Sequence, residues 1–262
     1  MHVLLTNDDG VFAPALWALH DELQCLGRVT VVAPRTQQSG VGHGITYLGP
    51  ITAQLVRSDQ GREAYAVDGT PADCVKFALL ELLSEPPDLL ASGINMGCNL
   101  GHNIFYSGTV AAAVEGAMNG ILSVAFSSSH ANAPDLSRVA RQCLRALEVI
   151  LERAEARRPL ALAYNVNLPT LRDGDPRILF TPHRVTAFRE HYLPAEKDGT
   201  PGYRLDMTSA DGQGHAARRT AGCDVDAVAA GMISITPLRP CLTDMDALER
   251  LGLCRPPDLQ SD

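Results

Sequence analysis

Along the first two thirds of the chain, short apolar runs alternate with longer stretches in which apolar residues recur every three or four positions. The runs Val3–Thr6, Val29–Ala33, Asp88–Ser92, Leu122–Phe126 and Pro159–Val166 read as strands buried on both faces. Between them the periodicity predicts helices from about Ala13 to Leu26, from Thr70 to Leu83, from Ser107 to Asn119 and over Leu136–Arg157. Pro14 and Pro71 suit first helical positions, where a missing N–H is no loss, and Thr70 is placed to cap the second helix. Residues 51–57 and 63–67 alternate apolar with polar around Asp59-Gln60-Gly61, the pattern of an antiparallel pair. Strand–helix alternation of this kind predicts a three-layer α/β fold with a mostly parallel sheet.

After Pro169 the pattern changes. Residues 170–222 are rich in Gly, Pro and charge, offer strand candidates only at 177–181 and 203–207, and show no helical periodicity. They read either as a flexible insertion or as an extended hairpin that another subunit must cover. A short helix (Asp224–Gly231), a strand (Met232–Thr236) and a last helix (Asp244–Leu251) follow, and the Pro256-Pro257 tail is expected to fray. The division that results is an α/β catalytic core over 1–170, an extended hairpin or oligomerisation region over 171–222, and a helix–strand–helix segment over 223–262 that returns to the core or swaps to a partner.

Composition narrows the class. With 262 residues, 45% of them hydrophobic, the chain can bury a sizeable core. Lys and Arg number 22 against 30 Asp and Glu, a net charge of −8, and no basic run appears, which argues against a nucleic-acid polymer as partner. No apolar run approaches a membrane span. Seven scattered cysteines without a C-x-x-C pair, in a chain that opens directly on strand residues, are expected to be free thiols in a reducing cytoplasm.

The chemistry gathers where strands end. Val3-Leu4-Leu5 runs into Thr6-Asn7-Asp8-Asp9-Gly10, which delivers two adjacent carboxylates to the lip of the sheet. In open α/β sheets that edge is where ligands bind. Two repelling carboxylates are costly to bury unless a cation lies between them. Ser39 follows the second strand, and Ser92-Gly93-Ile94-Asn95 brings Asn95, with Asn99 further along the loop. Carboxylate, amide and hydroxyl oxygens suit a hard cation, Mg²⁺, Mn²⁺ or Ca²⁺, better than zinc. His43 and His102 share these loops and are expected to be structural or exposed. Ser107-Gly108-Thr109 opens a helix of small residues, where unpaired N–H groups and the helix dipole make a seat for an anion. Asn7 suits either a ligand contact or an Asx-turn. Tyr47, Phe105 and Tyr106 are aromatic candidates for stacking a base. A cation cradle beside an anion seat fits phosphate-ester hydrolysis.

Thr6-Asn7-Asp8-Asp9-Gly10, Ser39-Gly40, Gly69-Thr70-Pro71-Ala72-Asp73, Ser92-Gly93-Ile94-Asn95-Met96-Gly97, Tyr106-Ser107-Gly108-Thr109-Val110, Asn165-Val166-Asn167-Leu168-Pro169 and Ser234-Ile235-Thr236-Pro237-Leu238 together resemble the SurE family of stationary-phase survival proteins. The resemblance implies a Rossmann-like α/β fold with an extended C-terminal portion exchanged between subunits of a homodimer or homotetramer. It implies a metal-dependent phosphomonoesterase acting on nucleoside 5′- and 3′-monophosphates. Asp8, Asp9, Ser39 and Asn95 would hold one divalent cation per subunit, with Asp8, Asp9 and Asn95 as catalytic residues. Ser107, Gly108 and Thr109 would hold the phosphate, with Asn7 and Asn99 as further substrate-binding candidates.

Two other readings compete. A signalling receiver domain also opens on an acidic pair, but it needs an Asp at the end of a mid-chain strand, where this chain has Asn95. A non-catalytic nucleotide or phosphate sensor would keep the same pocket. The intact acid pair favours a metal that does chemistry.

Overall fold

The computed structural model describes residues 1–129, 135–155, 163–185, 189–208 and 222–251. In chain order the elements are β1 (His2–Thr6), α1 (Pro14–Leu23), β2 (Arg28–Pro34), β3 (Ala53–Arg57), β4 (Glu63–Val67), α2 (Pro71–Phe77), β5 (Leu89–Met96), α3 (Gly108–Met118), β6 (Leu122–Ser128) and α4 (Leu136–Glu155). There follow β7 (Ala163–Leu168), β8 (Ile178–Phe180), β9 (Arg189–Lys197), β10 (Thr200–Thr208), α5 (Asp224–Ala229), β11 (Ile233–Leu238) and α6 (Met245–Arg250). None of the described helices is long and apolar enough to cross a membrane.

Nine strands form one sheet in the order β3-β4-β2-β1-β5-β6-β7-β11-β8. The run from β4 through β7 is parallel throughout. At the edges β3 pairs antiparallel with β4, as the alternation predicts, and β11 pairs antiparallel with β7 and parallel with β8.

Alternation along β1 shows the layering. Val3 and Leu5 face a core with Leu16, Leu19 and Leu23 of α1 and with Cys143, Leu147 and Ile150 of α4. Leu4 faces the opposite side, against Val75 of α2 and Ala112 of α3. Helices on both faces make the sheet buried on both sides, so its strands are continuous apolar runs.

Small residues let α3 lie close to the sheet. A Cβ at Gly116 would meet Ser123 Oγ at 2.4 Å and Leu90 Cδ1 at 2.8 Å. The strand order reverses between β1 and β5, the topological switch point of the sheet.

Several boundaries shift from the sequence expectation. The helix after Thr70 is α-helical only to Phe77 and ends in a π-helical turn over Ala78–Leu82. The strand expected at Pro159–Val166 is seen from Ala163 to Leu168, and residues 156–162, like the frayed-tail expectation, lie outside the described residues.

The largest departure is in the region after Pro169. The candidate at 203–207 grows to nine residues, β10, which pairs in full register with β9, a strand the pattern did not flag. The two are joined by Asp198-Gly199, with φ of 53° and 76°. Positive φ at both central residues is the type I′ hairpin geometry that Asp-Gly favours. Over residues 189–208 the structure shows a hairpin.

Candidate functional site

β1 ends at the switch point and hands the chain to Asn7, whose amide is committed locally. Asn7 Nδ2 donates to the Gly10 carbonyl at 3.0 Å, and the Gly10 N–H donates back to Asn7 Oδ1 at 3.2 Å. Gly10, at φ +101°, completes the turn. The structure therefore gives Asn7 an Asx-type brace. The brace fixes Asp8 and Asp9 on the sheet edge.

Asp8 is 4% exposed. Burial pushes its carboxyl up to about 6, and the neighbouring Asp9 pushes the same way, against a hydrogen bond from Thr109. That bond runs from Thr109 Oγ1 to Asp8 Oδ1 at 2.5 Å, so the first turn of α3 grips Asp8 directly. Asp9 is also raised by burial, with the Met96 N–H and Gln37 offsetting it in part. Its Oδ2 is buried without a hydrogen bond. The Gln37 amide reaches both Asp9 Oδ1 at 3.3 Å and Ser39 Oγ at 2.9 Å, and so ties the loop after β2 to the acid pair.

Asn95 arrives through a bulge. The β5–β6 register breaks between Ser92 and Asn95. There Gly93 sits at φ +136°, with the Phe126 carbonyl oxygen 2.4 Å from where a Cβ would be. Only glycine fits such an approach. Asn95 Nδ2 donates to the Gly97 carbonyl at 2.7 Å, which leaves its Oδ1 free as an acceptor.

At the start of α3, Ser107 caps the helix by accepting from the Val110 N–H at 3.1 Å, and the Ala111 N–H donates to the Ser107 carbonyl. The N–H groups of Gly108 and Thr109 are left without intrahelical acceptors, as at any helix start. Gly108 permits the close approach, since a Cβ there would stand 3.1 Å from Asp8 Cβ and 3.0 Å from Pro71 Cγ.

The loop that carries Ser39 is fastened at many points. The Gln38 N–H donates to the Asp8 carbonyl at 2.7 Å, and the Gly42 N–H to the Tyr106 carbonyl at 3.0 Å. Asp73, which also completes a capping box with Thr70, accepts from the Thr46 N–H and hydroxyl. His43 Nε2 and Lys76 Nζ both lie 2.9 Å from the buried Glu115 carboxylate. His43 first and Lys76 second hold that carboxyl at about 2, well below its ordinary value. His43 is thus a structural tie.

Asn99 is the centre of a buried amide cluster. Its Nδ2 donates to Ser127 Oγ, its carbonyl accepts from Asn165 and Asn167, and its N–H donates to Asn167 Oδ1. Asp224, from the start of α5, accepts from the Gly101 N–H at 2.8 Å.

At this edge of the sheet lies a cavity of about 750 Å³. Of the residues singled out in sequence, Asp8, Ser39, Asn95, Asn99 and Ser107 line it, and so does Tyr106 among the aromatic candidates. Thr109 reaches Asp8 and Asp9 reaches Gln37, while Tyr47 and Phe105 are exposed outside the lining. The sequence reading missed Gln37, Asn103, His191, Tyr192 and Leu205; the last three come from the β9–β10 hairpin.

A divalent cation fits this donor set. Two carboxylates are raised by burial, one carboxylate oxygen is orphaned, and a hydroxyl and a free amide oxygen stand at the same sheet edge. Among the described residues no group of three or more His, Cys, Asp and Glu side chains forms a metal cluster, so a cation here would rely on Ser and Asn oxygens beside the acid pair.

The chain has relatives among known proteins along nearly its whole length. The family model described as survival protein SurE matches residues 3–190. The 5′-nucleotidase SurE of Rhodopirellula baltica is 40% identical over 253 residues, covering 96% of this chain and 97% of the relative. The 5′-nucleotidase SurE 1 of Thermus thermophilus is 40% identical over 256 residues, with coverage of 96% and 97%. The crystal structure of the SurE protein from Aquifex aeolicus superposes with a TM-score of 0.75 at 35% identity, covering 96% of this chain and all of that one. With the family model spanning most of its length and these relatives covered nearly end to end, the chain belongs to the SurE family.

Proposed function

We propose that this protein is a divalent-cation-dependent phosphomonoesterase that hydrolyses nucleoside 5′-monophosphates, and 3′-monophosphates, to nucleoside and phosphate. The observation that carries this reading is the Thr109–Asp8 hydrogen bond at 2.5 Å, which joins the oxygen cradle to the helix start that offers free N–H groups. Cation site and anion seat are then neighbours by construction. The 5′-nucleotidase activity in the names of the Rhodopirellula and Thermus relatives supports the substrate class.

Asp8, Asp9, Ser39 and Asn95 would hold one Mg²⁺ or Mn²⁺ ion, which when bound polarises a phosphoryl oxygen and makes water a better nucleophile. The N–H groups of Gly108 and Thr109, with Ser107, hold the remaining phosphoryl oxygens and stabilise charge that grows on them during attack. Water adds to phosphorus, the ester P–O bond breaks, and the nucleoside oxygen leaves with a proton. Asp8 and Asp9 orient the attacking side, and Asn95 contributes its free amide oxygen. Asn99 lines the floor from within its amide cluster.

A homodimer or homotetramer that shares the C-terminal region accounts for the exposed apolar residues of the hairpin, such as Leu193 and Tyr203. Buried free thiols at Cys74, Cys143 and Cys223 suit a reducing cytoplasm.

The test is phosphate release from a panel of 5′- and 3′-nucleoside monophosphates, run with chelator, Mg²⁺, Mn²⁺ and Zn²⁺ in parallel. Release that chelator abolishes and Mg²⁺ or Mn²⁺ restores is the expected result. Full activity in excess chelator would remove the cation's role, and silence across the panel from folded protein would leave a nucleotide sensor.

A further inference from the structure

The cavity is much larger than a phosphate group, and its walls differ in chemistry. At about 750 Å³ it lies within the range of small-molecule sites, about 300–1,000 Å³. Asp8, Ser39, Asn95 and Ser107 give the lining its polar oxygens, and Tyr106, before α3, with Tyr192 and Leu205 of the hairpin give it apolar surface.

Tyr192 and Leu205 are register partners across β9 and β10, so their side chains share one face of the ribbon. Both are substantially exposed, at 66% and 43%, and Tyr106 is 55% exposed. Asn103 brings a polar edge to the same space; its Oδ1 is buried and lacks a hydrogen bond. A two-stranded ribbon has no hydrophobic layer of its own, and nothing in the packing of the core requires a tyrosine and a leucine at the mouth of this cavity. Flat apolar faces beside one unsatisfied amide oxygen are the surroundings that a planar heterocycle with N–H edges would complete.

We propose that the β9–β10 hairpin is the base-recognition wall of the site, with Tyr192 as the residue that stacks on the nucleobase of the substrate. The proposal rests on the phosphomonoesterase reading and adds to it the element that distinguishes a nucleotide from other phosphate esters. Phosphate grip and base grip then belong to separate parts of the fold: the first to the sheet edge, the second to a ribbon outside the sheet.

The experiment compares 5′-AMP with ribose 5-phosphate, which carries the same sugar phosphate without a base. The quantity read is the ratio of their kcat/KM values in wild type, Tyr192→Ala, Tyr192→Phe and Tyr203→Ala. Tyr203 belongs to the same hairpin but does not line the cavity. Loss of one stacking partner should lower the ratio about tenfold in Tyr192→Ala. Tyr192→Phe, which keeps the ring, and Tyr203→Ala should retain it. A ratio unchanged in Tyr192→Ala, or lowered equally in Tyr203→Ala, overturns the proposal.

If wild type releases phosphate from neither compound nor from any other nucleotide of the panel, the phosphomonoesterase reading fails by itself. Calorimetric affinities of the same four proteins for 5′-AMP and ribose 5-phosphate then decide the base wall. Tighter binding of 5′-AMP that is lost only in Tyr192→Ala supports it, and equal wild-type affinity for the two compounds overturns it.

Discussion

Asp8 and Tyr192 line the same cavity, yet one is 4% exposed and the other 66%. The Asp8 side is held by the Asn7–Gly10 brace, the Thr109 hydroxyl, the Gln38 N–H on its own carbonyl and the tie of His43 and Lys76 to Glu115. The Tyr192 side is a ribbon of two strands that forms a sheet of its own, separate from the main one. Reacting groups must stand within fractions of an ångström of their targets, so they sit on strand ends and helix starts that the core fixes. A surface that recognises one flat face tolerates a looser mount. Chemistry and selectivity are therefore separable by mutation.

The comparison predicts that the largest effect lies in the fixed wall. Asp8→Asn or Asp9→Asn should lower phosphate release about a thousandfold or more, because each removes a charge that the cation needs. Circular dichroism should show an intact fold, since burial already disfavours the charged form of both carboxyls. Near-normal turnover in either variant would contradict the cradle.

Next comes the close approach of α3. Gly108→Ala places a methyl group 3.1 Å from Asp8 Cβ and 3.0 Å from Pro71 Cγ, and must displace the helix start or the acid. A shift of this kind should reduce kcat about tenfold to a hundredfold, with the selectivity ratio between 5′-AMP and ribose 5-phosphate unchanged. A changed ratio would mean that the two walls are not independent.

The smallest effect belongs to the brace behind the loop. Glu115→Gln should lower the melting temperature by about 5 °C at neutral pH, with little change in selectivity. Its pH dependence has a definite sign. The carboxyl is held at about 2, below its ordinary 4.5, so its contribution is complete above about pH 4.5 and is lost as pH falls through 2. Thermal unfolding of wild type and Glu115→Gln should therefore converge toward pH 2. A gap that persists there would assign the effect to packing instead of charge.

The two walls were also unequally legible in the sequence. The acid pair could be read because a short apolar run followed at once by Asn7-Asp8-Asp9-Gly10 leaves little choice but a strand edge and a tight turn. The three-layer sheet followed from the same unbroken runs. The ties between segments left no local trace. The Thr109–Asp8 bond spans 101 residues and the His43–Glu115 tie spans 72, and no periodicity encodes either.

β9 escaped notice because Arg189–Lys197 mixes charge with Pro194 and has too few apolar positions to alternate. The one local signal was Asp198-Gly199, a hairpin turn that pointed to a strand on each side. Asn7 shows another limit: its residue type suited an Asx-turn, but only the position of Gly10 shows that the turn forms.

The contact between Asp224 and Gly101 has a consequence for synthesis on the ribosome. Every oxygen assigned to the cradle, and the helix start beside it, lies within the first 109 residues. The loop that carries Asn103 and Tyr106 is latched by a carboxylate 123 residues further along. A nascent chain thus holds all its reacting groups long before it can make this latch. The latch belongs only to a chain translated past Asp224, so premature termination before that residue yields an unlatched site even when the cradle has folded.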